Sequence, residues 1–373
     1  MKRKYQVPIL VVLALVFAGL IGSTGMAEES MEQQYRIAKD CFEKKDYANA
    51  EQRLRMLADR EYAPAQGLLG KMYFKGLGVP QDKREAVIWY RKAAEQGYAK
   101  AQNILGLMYL NGQGVPKDNR RAVKWFQKAA DQGYVMAQYN LGAVYVNGQG
   151  VSQDDREAAR WYKKAAEQGY ADAQNNLGSM YLNGQGVPKD NRKAVKWYKK
   201  AADQGYVMAQ YNLGLMYENG QGVSQDDREA ARWYKKAADQ GFTDAQYNLG
   251  VMYLNGQGVP KDNRRAVKWF QKAADQGKAD AQSNLGWMYQ NGQGVPKDSR
   301  IAVKWYKKAA DQGFTIAQYN LGEMYEYGGR GIQKDEQQAI QWYAKAARQG
   351  DKDAQEKLAQ RGINWEGTVP SKP

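Results

Sequence analysis

The sequence predicts an all-α fold: a solenoid of about eight 36-residue helix–turn–helix repeats with helical caps at both ends. Three observations predict it. The dipeptide Leu-Gly returns every 36 residues, from Leu69-Gly70 through Leu105-Gly106, Leu141-Gly142, Leu177-Gly178, Leu213-Gly214, Leu249-Gly250 and Leu285-Gly286 to Leu321-Gly322. Trp keeps the same beat from Trp89 to Trp305, and Trp342 comes one residue late because Tyr327–Ile332 carries an insertion. Between these markers the apolar residues fall at helical spacing. A length of 373 residues would otherwise suggest two or three globular domains, but repeats grow along one dimension and need no single large core.

Taken in chain order, residues 1–27 read as a secretory signal. Lys2, Arg3 and Lys4 form a positive start, Val7 to Gly22 is an apolar run, and Gly25 and Ala27 are small residues where a signal peptidase would cut. The run is short for a membrane-spanning helix, which needs ~20 residues. The expected location is therefore periplasmic or extracellular, with no membrane span after cleavage; an inner-membrane anchor formed by the uncleaved signal is the alternative. Residues 28–61 predict a capping helix pair, with Ala38, Phe42, Tyr47, Ala50 and Leu54 apolar.

The eight repeats occupy residues 62–350, and residues 135–169 show the logic of each position. Helix A spans Val135–Asn147, with Ala137, Leu141, Val144 and Tyr145 on one stripe. Gly142 costs this helix ~1 kcal/mol relative to Ala, so its return in every repeat predicts a close helix–helix approach. Gly148 suits the left-handed position that ends a helix. Asp154 then caps helix B, and Glu157 three residues later completes a capping box; Asp82 with Glu85, Asp226 with Glu229 and Asp335 with Gln338 repeat the pairing. Helix B buries Ala158, Trp161, Tyr162, Ala165 and Ala166. Residues 351–362 predict a final capping helix without a partner, and residues 363–373 a disordered tail.

A second period overlies the first. Residues 101–136 carry five positive and two negative charges and residues 137–172 four and five; residues 173–208 carry six and two, and 209–244 four and six. Basic and acidic repeats alternate, as duplication of a 72-residue unit would produce.

Composition narrows the chemistry. The chain has no His, which removes the common general base, Ser-His and Cys-His nucleophile pairs, and His-ligated zinc. A single Cys41 forms no internal disulfide. The net charge is +15, and +12 once residues 1–27 are removed. In an exported chain this surplus points to acidic partners or an anionic envelope or host surface rather than nucleic acid.

The pattern Ala-Gln-x-x-Leu-Gly-x-x-Tyr, then Asn-Gly-x-Gly-Val, then Asp-x-x-x-Ala-x-x-Trp-Tyr-x-x-Ala-Ala-x-x-Gly resembles the Sel1-like repeat, a relative of the tetratricopeptide repeat with a longer inter-helix loop. The resemblance covers Tyr62 to Gly350. It implies an α/α right-handed superhelix with helix A lining the concave face. Some members of that family are cysteine-rich and bind or hydrolyse β-lactams. This chain lacks their paired cysteines and has no Ser-x-x-Lys, so that activity does not carry over.

Other candidates have simpler readings. Gly148-Gln149-Gly150 resembles a phosphate loop, but a helix precedes it where a strand would be needed. Asp154-Asp155 and Asp226-Asp227 suggest a metal or acid–base pair, but capping already accounts for the first Asp of each. Arg120, Arg121, Lys124 and Lys128 read as a solvated face of helix B. No catalytic residue, metal ligand or cofactor is expected.

The informative positions are those that vary. The concave positions of the tetratricopeptide relatives map two residues before each Leu-Gly, one after and four after. The first row reads Gly67, Asn103, Tyr139, Asn175, Tyr211, Tyr247, Ser283, Tyr319; the second includes Lys71, Leu215, Val251, Trp287 and Glu323; the third includes Phe74, Glu218, Leu254, Gln290 and Glu326. Two readings stand: an aromatic groove that binds a peptide, or side chains buried by superhelical curvature against the next repeat. The first makes the chain an exported interaction scaffold whose partner-binding residues are Tyr139, Tyr211, Leu215, Tyr247, Val251, Leu254, Trp287 and Tyr319. The alternative is an envelope-associated enzyme or accessory factor acting on peptidoglycan or another glycan. That alternative would need two carboxylates converging on one cleft, and no pair is free of a capping or solvated role.

Overall fold

The computed structural model describes residues 31–329 and 331–365. The signal segment expected over residues 1–27 and most of the tail expected over 363–373 lie outside them. The described residues form an all-α solenoid of nineteen helices. A helix over 31–43 (α1) and Tyr47–Asp59 (α2) precede eight A–B pairs. These are Ala63–Lys75 and Lys83–Glu95 (α3, α4), Ala99–Asn111 and Asn119–Asp131 (α5, α6), Val135–Asn147 and Asp155–Glu167 (α7, α8), and Ala171–Asn183 and Asn191–Asp203 (α9, α10). Then come Val207–Glu218 and Asp227–Asp239 (α11, α12), Thr243–Asn255 and Asn263–Asp275 (α13, α14), Ala279–Asn291 and Ser299–Asp311 (α15, α16), and Thr315–Tyr327 and Glu336–Arg348 (α17, α18); Lys352–Ala359 (α19) ends the series. The described residues divide into two compact units, those up to residue 173 with 184–188, and residues 174–183 with those from 189 onward. None of the described helices is long and apolar enough to cross a membrane.

The sequence stripes are the core. Ala137, Leu141 and Val144 of α7 are buried, as are Ala158, Trp161, Tyr162, Ala165 and Ala166 of α8. Tyr145 is only partly buried. The glycine of each Leu-Gly pair lies against the aromatic ring of its own helix B. A Cβ on Gly142 would stand 2.5 Å from Tyr162 Cδ1, and one on Gly250 2.7 Å from Phe270 Cδ1. That close approach is why the helix tolerates its least favourable non-proline residue.

The Asp caps form as expected, but the capping box does not close. Asp154 accepts hydrogen bonds from the backbone N–H of Arg156 and Glu157. Its own N–H, which the box would give to Glu157, donates instead to the carbonyl of Tyr145 at 3.0 Å. The same bond recurs in all eight repeats at 2.8–3.0 Å, from Asp82–Tyr73 to Asp335–Tyr325. The carbonyls at a helix C-terminus lack intrahelical partners, so this bond satisfies one orphan at each end and ties helix B to helix A. Glu157 is left to pair with Arg160 at 3.3 Å on the surface.

A buried glutamine ladder runs through each unit. The helix-A glutamines from Gln66 to Gln318 are between 2% and 5% exposed. In the second unit, Gln246 Nε2 donates to the Ala238 carbonyl at the end of α12, and its Oε1 accepts from Gln276 at 2.8 Å. In the first unit, Gln102 donates to the Ala94 carbonyl and accepts from Gln132. Each glutamine thus satisfies the C-terminus of the preceding helix B and is itself satisfied by its own repeat's helix B.

The ends depart from the repeat. Glu61 occupies the left-handed position (φ 61°) that Gly97 takes one period later. At the other end α19 is held by Glu326, which accepts from Tyr343 at 2.6 Å, from Lys357 at 3.0 Å and from Arg361. Burial pushes the Glu326 carboxyl up, but those three donors outweigh it and hold it below the usual glutamate range. A depressed carboxylate contributes stability above its unfolded pKa of about 4.3 and loses it as pH falls through the folded value. Amide protection of residues 352–359 is therefore expected to drop as pH falls below the ordinary glutamate range, ahead of the interior repeats, while Glu326→Gln gives weaker protection with no such step. An unchanged acid step in the variant would remove Glu326 from this role.

Candidate partner-binding face

The A helices carry the variable rows, and each unit presents its own set. In the second unit Tyr211, Leu215, Tyr247, Val251 and Leu254 are partly buried and border one core cluster. Tyr319 borders the C-terminal cluster. In the first unit Tyr139 is likewise half-buried.

Packing within the chain accounts for the tyrosines' burial. The Tyr139 ring lies 5.6 Å from Tyr162 and 5.1 Å from Tyr170, the latter edge-on. Tyr211 lies 5.7 Å from Tyr234 and 5.0 Å from Phe242. Tyr319 stacks at 5.5 Å on Tyr343 and donates its hydroxyl to Glu323 at 3.2 Å. Tyr247 meets Phe270 at 5.8 Å, with the Lys278 ammonium 5.2 Å from its ring centroid. Lys278 stands where six of the other repeats place an aromatic, from Tyr98 to Phe314, and it pairs with Asp244 at 2.8 Å and Asp280 at 3.6 Å. Burial raises the phenols of Tyr211 and Tyr247, and burial with the nearby Glu323 pushes Tyr319 up to about 12. All three stay neutral at physiological pH, with hydroxyls able to donate.

Trp287 differs. It is 43% exposed, a large apolar surface presented outward from the middle of α15. Full burial of such a side chain stabilises by roughly 2–3 kcal/mol, so leaving it in water forgoes a large gain. Apart from Leu182, the remaining row members in this unit are polar or acidic. Glu218 accepts from the Tyr234 hydroxyl, Gln290 accepts from the Tyr306 hydroxyl, and Glu326 is spent on α19.

The B helices offer less for recognition. In every repeat a Lys three residues after the Trp (Lys92 on Trp89 through Lys345 on Trp342) folds its ammonium to 3.7–4.5 Å from the indole. Lys128 is committed in this way, and Arg121 pairs with Asp118 at 3.2 Å, while Arg120 and Lys124 are exposed. Among the described residues no group of three or more His, Cys, Asp or Glu is placed to hold a metal ion.

Comparison with known proteins agrees with this architecture. The Sel1 repeat family model matches residues 63–98, 99–134, 135–170, 171–206, 207–242, 243–278, 279–314 and 315–351. Among solved structures, the chain is similar to c5321, a protective antigen present in uropathogenic Escherichia coli strains and displaying an SLR fold. The TM-score is 0.82 at 42% identity, over 83% of this chain and 67% of that one. It is also similar to a Sel1 repeat protein from Oxalobacter formigenes, with a TM-score of 0.65 at 38% identity, over 83% of this chain and 89% of that one. No curated protein matches the chain.

Proposed function

The chain belongs to the Sel1 repeat family, whose members are generally protein-interaction scaffolds, and on that premise we propose that it is an exported scaffold that binds a peptide or protein segment on the A-helix face of its second unit. The observation that carries this reading is Trp287, exposed on a face whose other aromatics are half-buried. Interface energy concentrates in a few aromatic anchors, and Trp is the commonest of them. The half-buried Leu215, Tyr247, Val251 and Leu254 supply apolar surface around an anchor at lower desolvation cost. Export rests on the basic and apolar residues of segment 1–27 and is supported by the similar protein described as a protective antigen.

Trp287→Ala tests the face. Because Trp287 is exposed, the variant is expected to keep its helical circular-dichroism signal and melting temperature. It should lose about 2 kcal/mol of partner affinity, roughly 30-fold, for whatever the unaltered chain captures from envelope or host-cell extracts. The tyrosines are poorer probes, since truncating them removes ring contacts inside the protein. Equal capture by the two chains would sink the proposal for this face.

A further inference from the structure

The last repeat departs from the others in the loop between its two helices. At Gly292 the chain leaves α15 in the left-handed conformation (φ 68°, ψ 34°), whereas at Gly328 it leaves α17 with φ 70° and ψ −160°. A small turn takes up the added residue, with Gly329 and Ile332 exchanging two backbone hydrogen bonds at 3.1 and 2.9 Å. In the preceding repeats the second loop glycine sits on the backbone that opens the previous helix B; a Cβ on Gly258 or Gly294 would run into the Asp227 or Asn263 carbonyl. Its counterpart Gly331 faces a side chain instead, with Arg300 Cδ 3.0 Å from an added Cβ. The loop has lifted off the start of α16, and a cavity of about 760 Å³ opens there.

One buried group in this cavity is unmet. Ser299, the first residue of α16, is 8% exposed, and its hydroxyl makes no hydrogen bond to a described residue. It faces the lifted loop: a Cβ on Gly329 would stand 3.4 Å from Ser299 Oγ. One repeat earlier the same position holds Asn263, whose Nδ2 donates to the loop residue Gln293 at 2.7 Å; the last loop has no glutamine to offer. Buried hydroxyls in native proteins are nearly always bonded, so this one points to a missing partner. The rest of the lining is polar too. Gln290 at the end of α15 accepts from the Tyr306 hydroxyl through Oε1, which leaves its Nε2 to donate. Lys297 is exposed and makes no ion pair with a described residue, and Arg300 Nε stands 4.0 Å from Asp298. Met324 is the one apolar side chain among the described lining residues.

Charge and size narrow the ligand. Two cations against one carboxylate leave a single positive charge, which suits one negative group. Phosphate fits poorly, because Asp298 already accepts the Arg300 and Ile301 N–H groups that a helix start would offer a dianion. A lone carboxylate would leave most of a ligand-sized space, in a class that runs from about 300 to 1,000 Å³, to water. We propose that the Ser299 cavity binds an acidic sugar, its carboxylate meeting Lys297 and Arg300 and its hydroxyls bonding Ser299 Oγ, Gln290 Nε2 and the second carboxylate oxygen of Asp298. Trp287 is not in the lining, so this site and the peptide-binding face stand or fall separately.

Isothermal titration of the purified protein tests this with three probes: cellobiouronate (glucuronate linked to glucose), the neutral disaccharide cellobiose, and an acetylated, amidated Ala-Glu-Ala peptide. Cellobiouronate is expected to bind one-to-one and about tenfold more tightly than either of the others, since a charge-assisted hydrogen bond is worth that much. Ser299→Ala removes only the hydroxyl and is expected to weaken both sugars about fivefold. The paired change of Lys297→Ala with Arg300→Ala touches exposed side chains and is expected to bring the acid down to the level of cellobiose. Ser299→Asn copies the preceding repeat, fills part of the cavity and is expected to weaken both sugars as well. Helical circular dichroism and melting temperature confirm that each variant is folded. Equal binding of the acid and neutral sugars, peptide binding as tight as the sugar acid, no saturable heat from any probe, or unchanged binding by folded Ser299→Ala overturns the proposal.

Discussion

Gly258→Ala is expected to destabilise the second unit by about 3–5 kcal/mol, while Gly241→Ala, seventeen residues earlier, costs only about 1–2. Both glycines have positive φ, +64° and +91°, so both variants carry the left-handed penalty for a residue with a Cβ. At Gly241 nothing lies within 4 Å of the added carbon, and the penalty is the whole cost. At Gly258 the added carbon would enter the van der Waals shell of the Asp227 carbonyl oxygen, at the start of the preceding repeat's helix B. A backbone carbonyl cannot swing aside as a side chain can. The loop must lift and carry the register between two repeats with it. Repeat proteins need not unfold in one step, so the comparison is made by amide exchange in α12 and α14 as well as by urea unfolding. Equal losses for the two variants would show that conformation, not inter-repeat contact, selects the glycine.

Gln246→Leu is expected to cost about 1–3 kcal/mol although it replaces a polar residue at a 4% exposed position by an apolar one of similar size. The substitution gains apolar burial but takes one donor from the Ala238 carbonyl, which keeps the Gly241 N–H at 3.0 Å, and takes an acceptor from Gln276. Each lost hydrogen bond contributes about 0.5–1.5 kcal/mol net, and the two together outweigh a transfer gain already limited by the tight fit. Gln276 keeps its second acceptor, the Gly241 carbonyl at 3.0 Å, so the loss on that side is partial. A double-mutant cycle with Gln276→Ala should show coupling of about 1 kcal/mol. A stabilised Gln246→Leu would mean that the ladder follows from packing and does not support it.

These two positions mark where sequence reasoning stops. Helix periods and ends are legible because they are local: Asp154 and Gly148 act on backbone within a few residues, and Val135–Asn147 begins and ends where those signals place it. The alanine, leucine and tryptophan stripes are legible for the same reason. Gln246 is not, because a polar residue on an amphipathic helix reads as solvated, and its partners lie eight and thirty residues away in sequence. Glu157 misleads in the opposite sense: the spacing of a capping box is present, but the Tyr145 carbonyl reaches the Asp154 N–H first. On the candidate face, sequence locates the rows but not their depth. Tyr211 and Trp287 look alike in composition, yet one is stacked on Tyr234 and Phe242 and the other stands out in water.

The bond from each capping Asp to a helix-A tyrosine carbonyl survives the insertion in the last repeat, where Asp335 still reaches Tyr325 at 2.9 Å across one extra residue. The loop therefore absorbs single-residue changes, and the glutamine ladder survives them too: Gln349 still donates to Gln318 at 2.7 Å, thirty-one residues away. A gene built this way can gain or lose 36-residue cassettes by unequal recombination and find every donor matched again at the new junction. Length becomes a heritable dial: lineages can vary how much surface they display while each cassette goes on folding by the same local rules.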